Sequence, residues 1–515
     1  MKKESSLIKS TFIIMIVSLL SRAMGFIRDM LIAGSFGAGM YTDAYNIAVS
    51  VPETIFTLIG LAISTAFLPM LSSIRAEKGQ NDMYNFANNV INILFIVSLV
   101  FFIVSSIFAK EIVHILAGGF SDDALILATK LTRITLLNIL FLSVNACFTS
   151  LLQVNEDFII PSILGLFFNF PMIIYLLIFK EYDIVGLTIA NVIGNFLRVV
   201  VQVPSLMSHK YKFKFFINLK DRKLHEILIL IVPVIIGAGA NSLNMIVDKK
   251  IASSLSVGSI SALDYGQKLI IFINTIITTS IANVAYPVMA NMRNNGDHEG
   301  FVETLKKSIV YLAILLIPIT IGMLIFGKQI VQIVYGRGQF DEYAVKITTA
   351  ALIGYGFGIF FTGMRDILNS TLFTMGKTKI TTFNGIVGVV VNIFLNIILS
   401  RYFGVFGIAV SSVIAMIATS LLLFRSIIRL EYNFKIKDIL YKISIIIFDS
   451  VFMGIVILGI IRLLGNKVNE FTLLVVGTAL GSIFYLILGY ILKLQEIIEL
   501  SNIILNKFRI RRSKS

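Results

Sequence analysis

The sequence predicts an all-α polytopic membrane protein with about fourteen transmembrane helices: two six-helix lobes, related by a pseudo-two-fold axis along the membrane normal, plus two C-terminal helices. Three observations carry this. The 515 residues are 57% hydrophobic and 14% charged, with mean hydropathy +0.90; a soluble domain is nearer 45–50% apolar and about 25% charged. Apolar runs of about 20 residues, each enough to cross a hydrocarbon core of about 30 Å, recur from end to end. The chain also repeats itself at an offset of 218 to 223 residues. This composition excludes a soluble enzyme, a disordered chain and a fibrous one. An outer-membrane barrel is excluded too, because its strands alternate apolar and polar residues.

Taken in order, hydropathy places the spans at roughly 8–32, 42–72, 86–109, 124–152, 157–179, 184–207, 225–254, 260–290, 304–326, 343–374, 380–400, 405–428, 439–463 and 471–493. No cleavable leader is expected, since Arg22, Arg28 and Asp29 follow the apolar residues 11–20 where a small-residue cleavage site would stand. Cys147 is the single cysteine and lies in an apolar run, so no disulfide framework is expected.

An even number of spans puts both termini on one side, and loop charge chooses the side. Lys2, Lys3 and Lys9 open the chain. Lys210, Lys212, Lys214, Lys220, Arg222 and Lys223 crowd the connection after span six, and Arg429, Lys435 and Lys437 follow span twelve. Residues 33–41, on the opposite side, contain no cation. The positive-inside rule then makes both termini cytoplasmic. The net charge of +15 is accounted for by these loops facing anionic membrane lipid, so no nucleic acid is expected as a partner.

The repeat is specific. Ile112-Val-His-Ile returns as Ile330-Val-Gln-Ile, Pro69 as Pro287, Asp29 as Asp248, Asp43 as Asp264 and Asn169 as Asn392. Chance similarity between Leu/Ile-rich helices does not preserve prolines and polar residues. The duplication divides the chain into an N-terminal six-helix lobe (1–207), a basic cytoplasmic linker (208–224) and a C-terminal six-helix lobe (225–430). Two appended helices (431–494) and a basic amphipathic cytoplasmic tail (495–515) follow. A substrate site is expected between the lobes. The linker run Lys210-Tyr-Lys-Phe-Lys-Phe-Phe fits a lipid-surface strip and a solvated connector equally.

No P-loop, metal-ligand spacing or nucleophile elbow is present, and His114, His209, His225 and His298 are scattered near span ends and loops. No enzyme chemistry is expected. The informative residues are charges within spans, where an ionisable group costs about 2.5–3.5 kcal/mol unless it faces a cavity or a partner. Span one has Arg22, Arg28 and Asp29, with Gly25 between the arginines as a point where the helix bends or a ligand approaches; the alternative is that Arg28 and Asp29 snorkel at the span's outer end and Arg22 pairs internally. Two arginines on one broken helix suit phosphate oxygens. Asp264 and Lys268 are one turn apart and able to pair. Lys249 and Lys250 are read as snorkelling at a span end. Arg365 and Asp366 are adjacent, so each is expected to need another partner. Arg198 has no assigned role, and structural pairing is its default reading. Asn392 and Asn396 share a helix face; with Ser412 and Asp248 they form an oxygen-only candidate site for a monovalent cation, or else interhelical polar contacts.

The chain resembles a known family at several of these points. Ser21-Arg-Ala-Met-Gly-Phe-Ile-Arg-Asp29, Phe36-Gly-Ala-Gly39, Thr42-Asp-Ala44 and Phe67-Leu-Pro69 resemble the opening of the MviN/MurJ lipid II flippases. Ser261-Ala-Leu-Asp-Tyr-Gly-Gln-Lys268 is similar to that family's span-eight motif, and Tyr335-Gly-Arg-Gly-Gln-Phe-Asp341 to an extramembrane signature. The resemblance runs over about residues 8–430 and extends to the multidrug/oligosaccharidyl-lipid/polysaccharide exporter superfamily. It implies a bacterial inner-membrane transporter for an undecaprenyl-diphosphate-linked peptidoglycan precursor, lipid II, with cell-wall synthesis proteins as further partners and no cofactor beyond sodium or a proton as coupling ion.

By the same resemblance, Arg22, Arg28, Asp29, Asp43 and Lys268 bind the cargo, and Asp248, Asn392, Asn396 and Ser412 hold the cation. Spans thirteen and fourteen form a groove for the prenyl tail. Three positions depart from the family: Lys268 stands for its usual arginine, Asn396 for an acid, and Pro52-Glu-Thr-Ile-Phe-Thr57 lacks a common arginine pair. The competing expectations are a flippase for another polyprenyl-linked saccharide, a cation-coupled multidrug exporter on the same scaffold, or a membrane protein that transports nothing.

Overall fold

A computed structural model describes residues 2–499 apart from 180, 182, 432, 433 and 466. The tail expected from residue 495 thus lies outside the described residues from residue 500 onward. Among the described residues the secondary structure is wholly helical. In chain order the first helices are α1 (Lys2–Phe36), α2 (Met40–Ala62), α3 (Leu68–Lys78), α4 (Gln80–Ile107), α5 (Ala109–Leu116), α6 (Asp122–Thr135), α7 (Asn138–Val154), α8 (Ile159–Ile178), α9 (Ile184–Val200), α10 (Val203–Ser208) and α11 (Arg222–Ser253). There follow α12 (Ser259–Asn294), α13 (His298–Tyr335), α14 (Glu342–Gly356), α15 (Ile359–Thr374), α16 (Thr378–Leu430), α17 (Ile436–Leu464) and α18 (Glu470–Ile491).

Sequence sets several of these boundaries through side chains that cap orphan amides. Asp183 accepts from Gly186 N at 2.7 Å, Asp297 from Gly300 N at 2.8 Å and Asn469 from Thr472 N at 2.7 Å, at the starts of α9, α13 and α18. The expected second span is α2 and α3 joined by a π-helical turn at Ile63–Phe67. The fourth is divided between α6 and α7, and the tenth is α14 and α15, bent by 46°. Expected spans eleven and twelve are two helices that follow each other without a loop across a kink, together labelled α16. Its 53 residues would reach about 80 Å if straight, more than twice the hydrocarbon thickness. It turns at Gly404, whose φ of 55° and ψ of −130° lie outside the helical range. Nine helices among the described residues are by themselves long and apolar enough to cross a membrane, or ten with the bent pair taken as one. The expected number is larger, and α16 accounts for one of the difference because it is counted once.

The chain forms two compact units. One comprises the residues up to Ser261 together with Arg337–Ala344; the other comprises Ala262–Gly336 and the residues from Val345 onward. The contact boundary thus differs from the duplication boundary, since α11 lies in the first unit. In that unit a core of Phe67, Leu71, Met83, Phe86, Leu151 and Tyr211 joins α3, α4, α7 and the linker. Burial pushes the Tyr211 phenol well above its usual range, so it stays a neutral donor. In the second unit α13 packs on α15, α17 and α18. An apolar cavity of about 520 Å³ opens there, lined by Pro318, Phe326, Met453, Tyr485, Leu486 and Ile497 among others.

Candidate functional site

In the first unit the charges of α1 meet α8 and α9. Gly165 lets α1 approach α8, since a Cβ there would stand 1.9 Å from Ser21 Oγ. Gly194 does the same for α8 and α9: a Cβ would fall 2.4 Å from the Phe168 carbonyl oxygen. These approaches bring Arg28 onto Asn169, with Arg28 Nη1 donating to Asn169 Oδ1 at 2.8 Å. Arg28 Nη2 and Nε donate to Asp29 Oδ1 at 2.8 and 3.1 Å. Asn169 is fixed in turn, its Nδ2 donating to the Gly165 carbonyl at 2.7 Å.

Arg198 reaches the same place from α9. The guanidinium carbons of Arg28 and Arg198 lie 5.4 and 5.1 Å from the centre of one ring, that of Phe168. Arg198 donates to Asn195 Oδ1 at 3.3 Å, while its buried Nε has no hydrogen-bond partner among the described residues. Glu53, in the segment where the resemblance leads one to expect arginines, acts electrostatically on both guanidinium groups.

Two expectations about α1 change. The helix is continuous through Gly25, and a Cβ there would make ordinary contact, 3.6 Å from Asn169 Nδ2. The helix is therefore not broken. Arg22 is exposed and makes no hydrogen bond or ion pair among the described residues. Six residues separate it from Arg28, a turn of about 240° about the helix axis, so the two do not share a face.

Asp43 is buried at the start of α2 and fully engaged. Its Oδ2 accepts from Gly258 N at 2.7 Å, and its Oδ1 from Ser261 N and Oγ at 2.8 and 2.6 Å. The carboxylate thus caps the turn that opens α12, where Gly258 has φ +90°. Asp43→Asn places an amide N–H opposite a backbone N–H. We expect it to cost about 2 kcal/mol, read as a lower thermal unfolding temperature in detergent with α-helical content retained; an unchanged temperature would show that the cap is not structural. Lys249, expected to snorkel, donates instead to the Asn46 carbonyl at 2.9 Å. Asp248 accepts from Asn244 Nδ2 at 3.4 Å.

Also in the first unit, the two glycine-rich motifs touch. Gln339 N donates to the Gly34 carbonyl at 2.8 Å. Gly37 (φ +69°) and Gly338 (φ +58°) face that contact, and a Cβ would stand 2.4 Å from the Gln339 oxygen and 2.1 Å from the Gly34 oxygen respectively.

In the second unit Lys268 pairs with Asp264 at 2.7 Å, one turn away, and lies 5.8 Å from the Tyr265 ring centre. Arg365 and Asp366, expected to need separate partners, bond each other: Nη2 and Nε reach Asp366 Oδ1 at 2.9 and 3.2 Å. The Arg28–Asp29 pair has the same form. A guanidinium on a long stem curls back to the next residue, which Cβ directions alone do not reveal. On α16, Asn396 Nδ2 donates to Asn392 Oδ1 at 2.8 Å, and Asn392 Nδ2 to Ser412 Oγ at 3.0 Å. Three of the four expected cation ligands therefore form one hydrogen-bonded row within this unit.

Sequence reasoning named Arg198 without giving it a role, and missed Phe168 and Asp449. The last is buried on α17, with neither carboxylate oxygen hydrogen-bonded among the described residues. Its signal was available, as an acid in the middle of an apolar run.

The family model described as lipid II flippase MurJ matches residues 32–477. The chain belongs to the lipid II flippase MurJ family. A probable lipid II flippase MurJ of Buchnera aphidicola subsp. Schizaphis graminum is 30% identical over 453 residues, 86% of this chain and 87% of that one. Among solved structures, a lipid II flippase MurJ in an inward closed conformation has TM-score 0.81 and 27% identity, covering 94% of this chain and all of the other. An inward-facing multidrug resistance MATE transporter of the MOP superfamily has TM-score 0.66 at 14% identity over 82% of this chain and 99% of its own, a likeness of fold alone. MurJ proteins are multi-pass membrane transporters rather than enzymes; the span-eight and extramembrane motifs of this chain lie within the matched range, and the span-one motif Ser21–Asp29 lies just before it.

Proposed function

We propose that this chain is a lipid II flippase, moving an undecaprenyl-diphosphate-linked peptidoglycan precursor from the inner to the outer leaflet of the bacterial cytoplasmic membrane by alternating access. The observation that carries the reading, in a MurJ family member, is the Arg28 cluster. A planar fork donor matches phosphate oxygens in bidentate fashion, and Asn169 and Asp29 hold it in one orientation. Arg198 adds a second guanidinium against the same Phe168 ring. Arg22, exposed on the same helix as Arg28, supplies a further donor. Lys268 enters through its place in the span-eight motif, as a compact cation rather than a fork, and Asp43 as a positioning residue. The apolar cavity bordered by α17 and α18 suits a prenyl chain.

Both termini are cytoplasmic in this reading, from the loop charges. An inside-negative potential favours outward movement of an anion by about 2.3 kcal/mol per charge per 100 mV. Coupling to sodium or a proton is assigned to Asp248, the one acid among the four expected ligands. Cell-wall synthesis proteins are the partners such a carrier would serve.

The test is rescue of a strain depleted of its own lipid II flippase. We expect growth and normal cell shape on expression of this chain. Lysis despite normal amounts in the membrane would refute the cargo and favour another polyprenyl-linked saccharide.

A further inference from the structure

We propose that residues 210–220 form a pinned docking strip for anionic phospholipid, with Phe213 and Phe215 seated at the acyl-chain boundary and Lys210, Lys212, Lys214 and Lys220 on the headgroup phosphates. The observation is a row of asparagines. Asn88, Asn89 and Asn92 on α4 are 1–2% exposed, and primary amides on a spanning helix need partners. Their partner is the backbone of residues 212–218 of the linker, which lie in neither helix nor strand.

Asn88 Nδ2 donates to the Lys212 carbonyl at 3.0 Å. Asn92 Nδ2 donates to the Lys214 and Phe216 carbonyls at 2.9 and 3.1 Å. Asn89 closes a pair with Asn218, giving to its carbonyl at 2.9 Å and accepting from its N–H at 2.7 Å. Tyr84 OH holds the His209 carbonyl at 2.7 Å.

The order of these partners traces the path of the segment. It starts at Tyr84, passes Asn88, reaches Asn92 and returns to Asn89. Tyr84 and Asn92 are eight residues apart on a continuous helix, about 12 Å along its axis. The linker therefore runs along α4 toward the middle of the span, turns at Phe215 and comes back. Its entry is fixed as well. Lys210 takes a left-handed φ of 65° and closes α10, with Lys210 N on the Met207 carbonyl and Tyr211 N on the Leu206 carbonyl. Tyr211 is buried edge-on against Tyr84 and Phe148 and donates to Asn88 Oδ1 at 2.6 Å.

Because the asparagines hold the backbone, the side chains from 212 to 220 all remain exposed. Phe215, at the apex, is 71% exposed. One helical turn beyond Asn92 on the same face, Phe95 and Ile96 are exposed too, so the apex adjoins surface of α4 that faces lipid. An aromatic apex with lysine shoulders matches the interface, where rings sit at the acyl boundary and ammonium groups reach phosphate. An acidic protein partner would match the lysines and leave the apex unexplained. The inference needs only that α4 crosses the membrane, and it is independent of which cargo the chain moves.

The chain contains no tryptophan, so Phe215→Trp gives a single emitter in the full-length protein. It is placed in nanodiscs holding equal fractions of phosphatidylglycerol and phosphatidylcholine, with one or the other brominated near the carbonyl end of its acyl chains. We expect brominated phosphatidylglycerol to quench at least about twofold more strongly at low salt. The preference should shrink as salt is raised and be lost in Lys212→Gln/Lys214→Gln. Equal quenching by the two lipids with the lysines intact would overturn the proposal, and so would absence of quenching by both. Should the double lysine variant fold poorly, the salt series on Phe215→Trp alone decides.

Discussion

Replacing Arg28 with alanine abolishes rescue of a flippase-depleted strain while folded protein remains in the membrane. The alanine loses the bonds to Asn169 and Asp29 and leaves Asp29 without its guanidinium. Lysine keeps the charge but can satisfy only part of this geometry. Hydrogen bonds to charged groups contribute about 1.5–3 kcal/mol each, so Arg28→Lys should lower transport about ten- to a hundredfold. Asn169→Asp is a sharper probe. It gives Arg28 a second carboxylate that competes with an anionic cargo, and it gives up the donation to the Gly165 carbonyl; rescue should fail with folded protein still in the membrane. Full rescue by Arg28→Ala at normal expression would make the cluster a structural pair and require a different anchor for the cargo.

Lys268→Glu should fail to support growth, whereas Lys268→Arg, which restores the family residue, should be tolerated. The glutamate stands one turn from Asp264 and repels both it and a diphosphate. The decisive variant exchanges the charges, Asp264→Lys with Lys268→Glu. If the pair serves only to neutralise itself, the exchange restores growth. If the cation must stand at position 268 for the cargo, the exchange fails with the protein still in the membrane.

Much of the fold is legible because the bilayer imposes it. A run of about 20 apolar residues has few alternatives to a helix in hydrocarbon, and the expected spans fall on helices throughout. The joints are less legible. Nothing in the hydropathy of residues 400–408 distinguishes a loop from the kink at Gly404 that separates the two helices of α16. At the site, Arg28 and Asp29 stood out because charges in apolar runs are costly. Their geometry did not, because spacing rules describe Cβ directions and an arginine stem is long enough to reach its neighbour. Arg198 meets Arg28 only through Phe168 and two glycine-mediated helix approaches, none of which leaves a periodic trace. The asparagine row was hidden for a similar reason: its partners lie more than 120 residues away and are backbone carbonyls, which every residue carries alike.

That distance has a consequence for how the protein is made. Asn88 is synthesised 124 residues before its partner Lys212. At about 5–20 residues per second the ribosome needs roughly 6–25 s to cover the interval. Throughout it α4 has entered the membrane with three amides and no backbone to receive them, an unfavourable state in hydrocarbon. Its insertion is therefore completed only when the linker emerges, after the intervening spans. A nascent chain stopped at residue 207 should be cleared by membrane proteases faster in pulse-chase than one stopped at residue 221, although the second is only 14 residues longer and adds no span; equal lifetimes would mean that the translocon or a neighbouring helix shelters the amides in the meantime.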